Sequence, residues 1–216
     1  MYDTVKALGL TVNESTMVGL VKAPPSFSEG WTMFDLETRY YHTASKNVIT
    51  IDVPIMTRNT RDAAVISKWV QPQKQLLIRG NFISWNIGDT QLAVALVPHL
   101  LKLGPQVTEG SSGLYMNSCL FTGRVSVPPV LNAASDYNHM QIETEFVEKQ
   151  DNGFSESVTT IPIAIPFKSE INQQLINKLY TPGRQLMIIA NYAFYRDMEG
   201  NTVPGFVSKL ISTGAK

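Results

Sequence analysis

The sequence predicts an all-β protein built as two tandem five-stranded barrels, each carrying one short helix. Three observations lead there. A segment late in each half recurs at one offset of about half the chain. Each half alternates apolar and polar residues with a period of two. Each half breaks that period once, for a helix, after its third strand. The recurring segment is QLLIRGNFISW from Gln75 to Trp85 and QLMIIANYAFYRD from Gln185 to Asp197. Gln75 answers Gln185, Leu76 answers Leu186, Ile78 answers Ile188, Asn81 answers Asn191 and Phe82 answers Tyr192.

Bulk properties narrow the class. A chain of 216 residues holds two domains of about a hundred residues each. Its 44% apolar content suits a globular protein. Eighteen basic and eighteen acidic residues balance to zero, so affinity for a polyanion must come from local patches and stacking. Cys119 is the sole cysteine, which excludes an intramolecular disulfide; its place in an apolar strand pattern marks it as a core residue. MYDTVKALGL at the start lacks the pattern of a secretory leader, and no apolar run is long enough to span a bilayer, so no membrane association and a cytoplasmic location are expected.

The elements follow in order. Residues 1–15 read as a leading arm, able to pair as an edge strand or stay loose. The first barrel, residues 16–102, opens with a strand at Met17–Lys22 that ends before Pro24 and Pro25. WTMFDLETRYY alternates strictly, with Phe34, Leu36, Thr38 and Tyr40 inward and Met33, Asp35, Glu37, Arg39 and Tyr41 outward. After a turn at Ser45–Asn47, NVITIDVPI is a third strand. Asn59–Val70 switches to helical spacing, with Thr60 as its cap and Trp69 expected in the core. The central strand places Leu76, Ile78, Gly80 and Phe82 inward and Leu77, Arg79, Asn81, Ile83 and Trp85 outward. Gln91–Val97 is the fifth strand, and residues 103–116, rich in Gly and Ser, read as a linker.

The second barrel, residues 117–216, repeats the order. CLFTGRVSVPP matches MVGLVKAPP, aligning Gly123 with Gly19 and Pro128–Pro129 with Pro24–Pro25. MQIETEFVE shares the Glu-Thr step of FDLETRYY. The tip KQDNGFSES leads to VTTIPIAIPF. Ser169 caps a helix whose Ile171, Leu175, Ile176 and Leu179 form one apolar face. In the central strand Leu186, Ile188, Ala190 and Tyr192 fall inward, and Gln185, Met187, Asn191 and Tyr195 outward. Val203–Ile211 closes the domain. Gly80 and Ala190, small residues on inner faces, mark a bend or a close approach. Five strands with a helix between the third and fourth is the order of the OB-fold, a Greek-key barrel.

The second half, from VTTIPIAIPF through SEINQQLINKLYTPGRQLMIIANYAFYRDMEGN, resembles the single-stranded-DNA-binding proteins of bacteria and their phages. CLFTGRVSVPP resembles that family's first strand, and the first half shows the same order more weakly. The tandem arrangement resembles members that carry two barrels per chain and pair as homodimers. The resemblance implies sequence-tolerant binding of single-stranded DNA, with replication and recombination proteins as partners and with no cofactor. The family's acidic tail has no counterpart before Lys216, so recruitment of partners through one is not expected.

Binding of that kind needs aromatic faces for the bases and cations for the phosphates. The candidates on outer faces and hairpins are Trp31, Arg39, Tyr41, Arg79 and Trp85 in the first half. In the second they are Arg124, Tyr137, Lys149, Phe154, Lys168, Tyr195 and Arg196, with Phe167 carried over from the resemblance. Core packing or a subunit interface is the competing reading for each aromatic, and alternation assigns Phe34, Tyr40, Phe82, Phe146 and Tyr192 to the core. Asp35, Glu37, Glu143 and Glu145 share the second-strand outer faces and would repel phosphates. No nucleotide-binding, zinc-protease or serine-hydrolase motif is present, and His42, His99 and His139 lack ligand spacing, so neither catalysis nor a metal is expected. A tandem OB-fold protein-interaction module or structural subunit of a replication assembly, without strong DNA binding, is the alternative, and RNA stays open as the ligand, because OB-folds accept either nucleic acid.

Overall fold

A computed structural model describes residues 12–28, 30–42, 45–58, 63–87, 91–107, 113–131, 137–150, 153–166, 170–197 and 199–213. The arm before residue 12, the caps Thr60 and Ser169, and the site candidates Phe167 and Lys168 lie outside them. Eleven strands and two helices occur among the described residues: β1 (Val12–Val21), β2 (Ser26–Ser28), β3 (Trp31–His42), β4 (Asn47–Thr57), α1 (Ala63–Trp69), β5 (Lys74–Ile87), β6 (Gln91–Gln106), β7 (Met116–Leu131), β8 (Tyr137–Gln150), β9 (Gly153–Pro166), α2 (Glu170–Leu179), β10 (Gln185–Arg196) and β11 (Thr202–Thr213).

Both barrels close with one topology. In the first, neighbours run β1–β3–β4–β6–β5, and β5 returns to β1. In the second they run β7–β8–β9–β11–β10, and β10 returns to β7. The third and fifth strands are parallel in each, at Ile55–Leu96 and at Phe206–Ile163 with Val207–Ala164. β1 pairs antiparallel with β3 and β5, β3 with β4, β7 with β8 and β10, β8 with β9, and β10 with β11. These are two tandem OB-folds, as the element order predicts.

The chain divides into two compact units that exchange short pieces. One holds residues up to 14, 83–93 and 119–216; the other holds 15–82 and 94–118. Each unit therefore takes the start of the other repeat's first strand. The same side chain receives it in both. Thr144 Oγ1 lies 2.9 Å from the Thr122 carbonyl oxygen and 3.4 Å from that of Val12. Thr38 Oγ1 lies 2.8 Å from the Val18 carbonyl and 2.9 Å from that of Met116. The Glu-Thr step shared by the two halves thus marks a hydroxyl that bonds two carbonyls in a buried layer. Beside it, a Cβ on Gly19 would fall onto the Glu37 carbonyl oxygen, and one on Gly123 onto that of Glu143. The first strand crosses the second at this point, so only glycine fits.

Alternation fixes the interiors. Phe34, Leu36, Thr38 and Tyr40 are buried, as are Leu76, Ile78, Gly80 and Phe82, while Arg79 and Trp85 are exposed. A Cβ on Gly80 would meet the Val97 carbonyl, the close approach its small size predicts. In the second barrel Phe206 packs edge-on against Phe121 at 4.8 Å and Tyr192 at 5.7 Å between ring centroids. Each such pair adds about 0.5–1.5 kcal/mol beyond its buried area. Cys119 is buried in this unit.

Four features differ from the sequence reading. β1 and β7 begin several residues earlier than their apolar cores, because their first residues belong to the unit of the other repeat. β6 runs on to Gln106, into the expected linker. A short strand β2 pairs with β3. Trp69, expected in the core, is 38% exposed, because α1 spans only seven residues and Ile66 and Val70 supply its buried contacts.

Candidate nucleic-acid interface

The outer face of β3 and β4 gathers most of the first-half candidates. Met33, Asp35, Glu37, Arg39 and Tyr41 project there by alternation. Across the strands Glu37 faces Asp52, Arg39 faces Thr50 and Tyr41 faces Val48. An aromatic ring and a guanidinium meet at each end. The Arg58 guanidinium carbon lies 4.5 Å from the Trp31 ring centroid, and that of Arg39 lies 4.0 Å from the Tyr115 centroid. Both are within cation–π range. Eight strand residues, about 27 Å at roughly 3.4 Å each, separate Trp31 from Arg39.

The middle of the face is acidic, and partly neutralised. Lys22 Nζ lies 3.0 Å from Asp52 Oδ2, and Arg39 Nη2 lies 3.9 Å from Glu37 Oε1. Burial, followed by the Asp52 charge, pushes the Asp35 carboxyl above its ordinary pKa, with Lys22 opposing the rise. The hydrogen bond to Asp52 in turn raises the Lys22 ammonium. Cations thus stand toward the two ends of the face and carboxylates at its centre. Each end carries a half-exposed aromatic ring and a guanidinium, the two residue types that single-strand binding uses.

Two candidates on β5 sit elsewhere. Arg79 is exposed and opposite Thr16 of β1. Trp85 is 38% exposed near the tip of the β5–β6 hairpin, followed by exposed Ile87. The adjoining Ser84 ties this hairpin to β9: its N–H donates to Thr159 Oγ1 at 2.9 Å, and its hydroxyl donates to the Thr160 carbonyl at 2.5 Å. Trp85 is thereby anchored beside a strand whose Val158 is exposed.

The second barrel offers a different surface. On β8 and β9, Glu143, Glu145 and Glu156 are exposed. Arg124 is exposed on β7, directly across from Glu143. Tyr137 is half-buried at the start of β8, opposite Pro166. Lys149 and Phe154 pair through their backbones next to the β8–β9 turn, and their side chains lie outside the described set. Arg196 is exposed at the end of β10, opposite Thr202.

Tyr195 corrects the sequence reading. Expected on an outer face, it is 8% exposed. Its ring covers Gly205, where a Cβ would collide with Cε1, and lies 5.0 Å from the His139 ring. β10 loses its alternation at this end. Residues Ala190 to Ala193 are buried in succession, a bulge in the β10–β11 register falls at Ile189–Ala190, and the burial phase reverses. Asn191, also expected outward, is buried, and Phe194 emerges instead at 44% exposure. Burial holds the Tyr195 phenol well above its ordinary pKa, with Asp197 adding to the shift; burial lowers His139, with Asp197 opposing. Asp197 also organises the hairpin turn by accepting from the Glu199 and Asn201 N–H groups at 2.9 and 2.8 Å.

Four residues that sequence reasoning passed over belong to these surfaces: exposed Phe27 on β2, Arg58, Tyr115 and Phe194. Tyr115 stood in a Gly/Ser-rich stretch with no pattern to mark it. Phe194 fell on the inward phase of a strand whose loss of alternation leaves no local signature. No cluster of three or more His, Cys, Asp or Glu suited to a metal occurs among the described residues, and no helix there is long and apolar enough to cross a membrane.

No protein-family model and no curated protein matches the sequence. Solved structures do resemble the fold. The wild-type single-stranded DNA binding protein from Thermus aquaticus is similar with a TM-score of 0.63 at 10% identity, over 96% of this chain and 95% of that one. A deletion mutant of the same protein gives 0.61 at 11% identity, over 96% and 97%. At such identities the likeness concerns the fold alone, over nearly the whole of both chains.

Proposed function

We propose that this protein binds single-stranded DNA with little sequence preference, coating exposed strands during replication, recombination or repair, and that it works as a homodimer without a cofactor. The observation that carries the reading is the outer face of β3 and β4, with Trp31–Arg58 at one end and Arg39–Tyr115 at the other. This is the face that OB-folds use for oligonucleotides, together with the hairpin after the fourth strand. That hairpin carries Trp85 here. On the β3–β4 face bases stack on Trp31, Tyr41 and Tyr115 while Arg39 and Arg58 meet phosphates; Arg79 and Trp85, on β5, are further candidates taken by themselves. In the second barrel Phe194 and Arg196 on the β10–β11 hairpin take these roles, joined by Arg124, Lys149 and Phe154. The likeness of the whole chain to a Thermus aquaticus single-stranded DNA binding protein supports the same reading.

A second reading rests on the acidic β8–β9 face. Glu143, Glu145 and Glu156 there favour a barrel that engages protein rather than DNA. Tryptophan fluorescence during titration with oligo(dT) separates the two, with oligo(U) and duplex DNA as competitors. Trp31, Trp69 and Trp85 all reach solvent, and single-tryptophan variants resolve them. Quenching of Trp31 and Trp85 by the single strand, with Trp69 on α1 unmoved, is the expected result. No quenching and no mobility shift at micromolar protein would leave the protein-binding reading in place, and preference for oligo(U) would make RNA the ligand.

A further inference from the structure

α2 does not bury its apolar stripe. Leu175 is 52% exposed, and Leu179 is only half-buried. The reason lies in the sheet beneath. β9 and β11 run parallel for just two pairs, Phe206–Ile163 and Val207–Ala164, and then part. The gap between them, floored by Ile165 and Pro166 and flanked by α2 and the segment Ser208–Ile211, is a groove of about 260 Å³. Leu210 stands at its rim, 52% exposed. From Ser208 onward β11 pairs with β10 alone among the described residues, so its other edge offers backbone groups to a further strand.

The rim is basic. Lys209 is the extra residue of the bulge that sets Leu210 opposite Ile189 and Ser208 opposite Ala190, and it lines the groove. Lys178 is exposed in the last turn of α2. Neither has a carboxylate within 4.0 Å among the described residues. The volume falls below the roughly 300–1,000 Å³ of small-molecule sites, so it suits one or two side chains rather than a cofactor. An open strand edge beside an apolar slot is the arrangement that captures extended peptides: main-chain hydrogen bonds hold the segment and alternate side chains enter the slot.

We infer that this groove docks an extended segment of a partner protein, apolar at alternate positions and acidic between them, which adds to the free edge of β11 and sets carboxylates against Lys178 and Lys209. The groove is built from β9, β11 and α2, none of which contributes to the β3–β4 face, and the inference does not depend on nucleic-acid binding. The test uses the full chain and a fluorescein-labelled peptide, Asp-Leu-Asp-Phe-Asp-Leu, read by anisotropy, with Lys-Leu-Lys-Phe-Lys-Leu as its counterpart. The acidic peptide is expected to bind saturably and the basic one not. The doubly charge-reversed variant K178E/K209E should weaken binding by about tenfold or more, Leu210→Glu should abolish it, and Lys102→Glu, on the exposed part of β6, should leave it intact. Both lysines and Leu210 are exposed, so the variants are expected to fold, and thermal melting verifies this. Equal binding of the two peptides, no saturable binding, or no response to K178E/K209E overturns the inference. So does a change from dimer to monomer in K178E/K209E on sedimentation, which would assign the groove to a second copy of the chain.

Discussion

At the scale of single residues, the two halves agree most closely where geometry leaves no choice. Gly123 lies against the Glu143 carbonyl, and Thr144 beside it bonds the Thr122 carbonyl. Gly123→Ala can be accommodated only by moving β7 off β8, and is expected to destabilise the protein by about 1–3 kcal/mol. Thr144→Val keeps the shape and removes the hydroxyl, leaving buried carbonyls with one donor fewer, for a loss of about 1–3 kcal/mol. Chemical denaturation measures both. Asp35 makes the opposite case. Its folded pKa is raised above the unfolded value of 3.8, so its contribution to stability is present below that value and lost as pH rises through the folded pKa. At neutral pH the ionised carboxylate therefore opposes folding slightly. Asp35→Asn is expected to leave stability level or raise it by up to about 0.5 kcal/mol. The same change removes a charge from the middle of the β3–β4 face, so affinity for oligo(dT) should rise. A fall in affinity would show that Asp35 contributes to the site rather than opposing it.

At the scale of elements, strand order and inner faces were legible because alternation is a local property of a strand packed on one side. Phe34 to Tyr40 and Leu76 to Phe82 behave as their pattern dictates. The β10 end was not legible. Tyr195 rather than Phe194 is buried, its ring in the space that Gly205 leaves on β11, which is remote in sequence. The starts of β1 and β7 were underestimated because their first residues belong to the unit of the other repeat, which no local pattern names. The β10 end also has a pH signature. Burial lowers the His139 pKa below 6.5, so as pH falls the unfolded chain takes up the proton first. The stabilisation is present above about pH 6.5 and is lost as pH falls through that value toward the folded pKa. Thermal midpoints measured from about pH 7.5 down to about pH 5 should fall, and His139→Gln should flatten the decline. An unchanged slope would place the acid sensitivity elsewhere.

At the scale of the whole molecule, a chain of zero net charge cannot hold a polyanion by long-range attraction. If it binds single strands, stacking must supply most of the affinity, and that sets a test that local geometry alone does not. Each phosphate neutralised on a single strand contributes about −0.7 to the slope of log affinity against log salt. Arg39 already faces Glu37, and Lys22 is engaged with Asp52, so few cations remain to be neutralised by phosphate on the β3–β4 face. The slope should be shallow, near that of two to four phosphates by the same relation. Trp85→Ala should then lower oligo(dT) affinity by roughly 5- to 150-fold, the equivalent of about 1–3 kcal/mol of stacking, and leave the slope unchanged. Arg58→Ala should do the reverse, with a smaller loss at moderate salt and a slope flatter by about 0.7. Fluorescence titrations at several salt concentrations read both quantities from one data set. A steep slope in the parent chain, with Trp85→Ala binding as tightly as the parent, would transfer the affinity from aromatic stacking to cations.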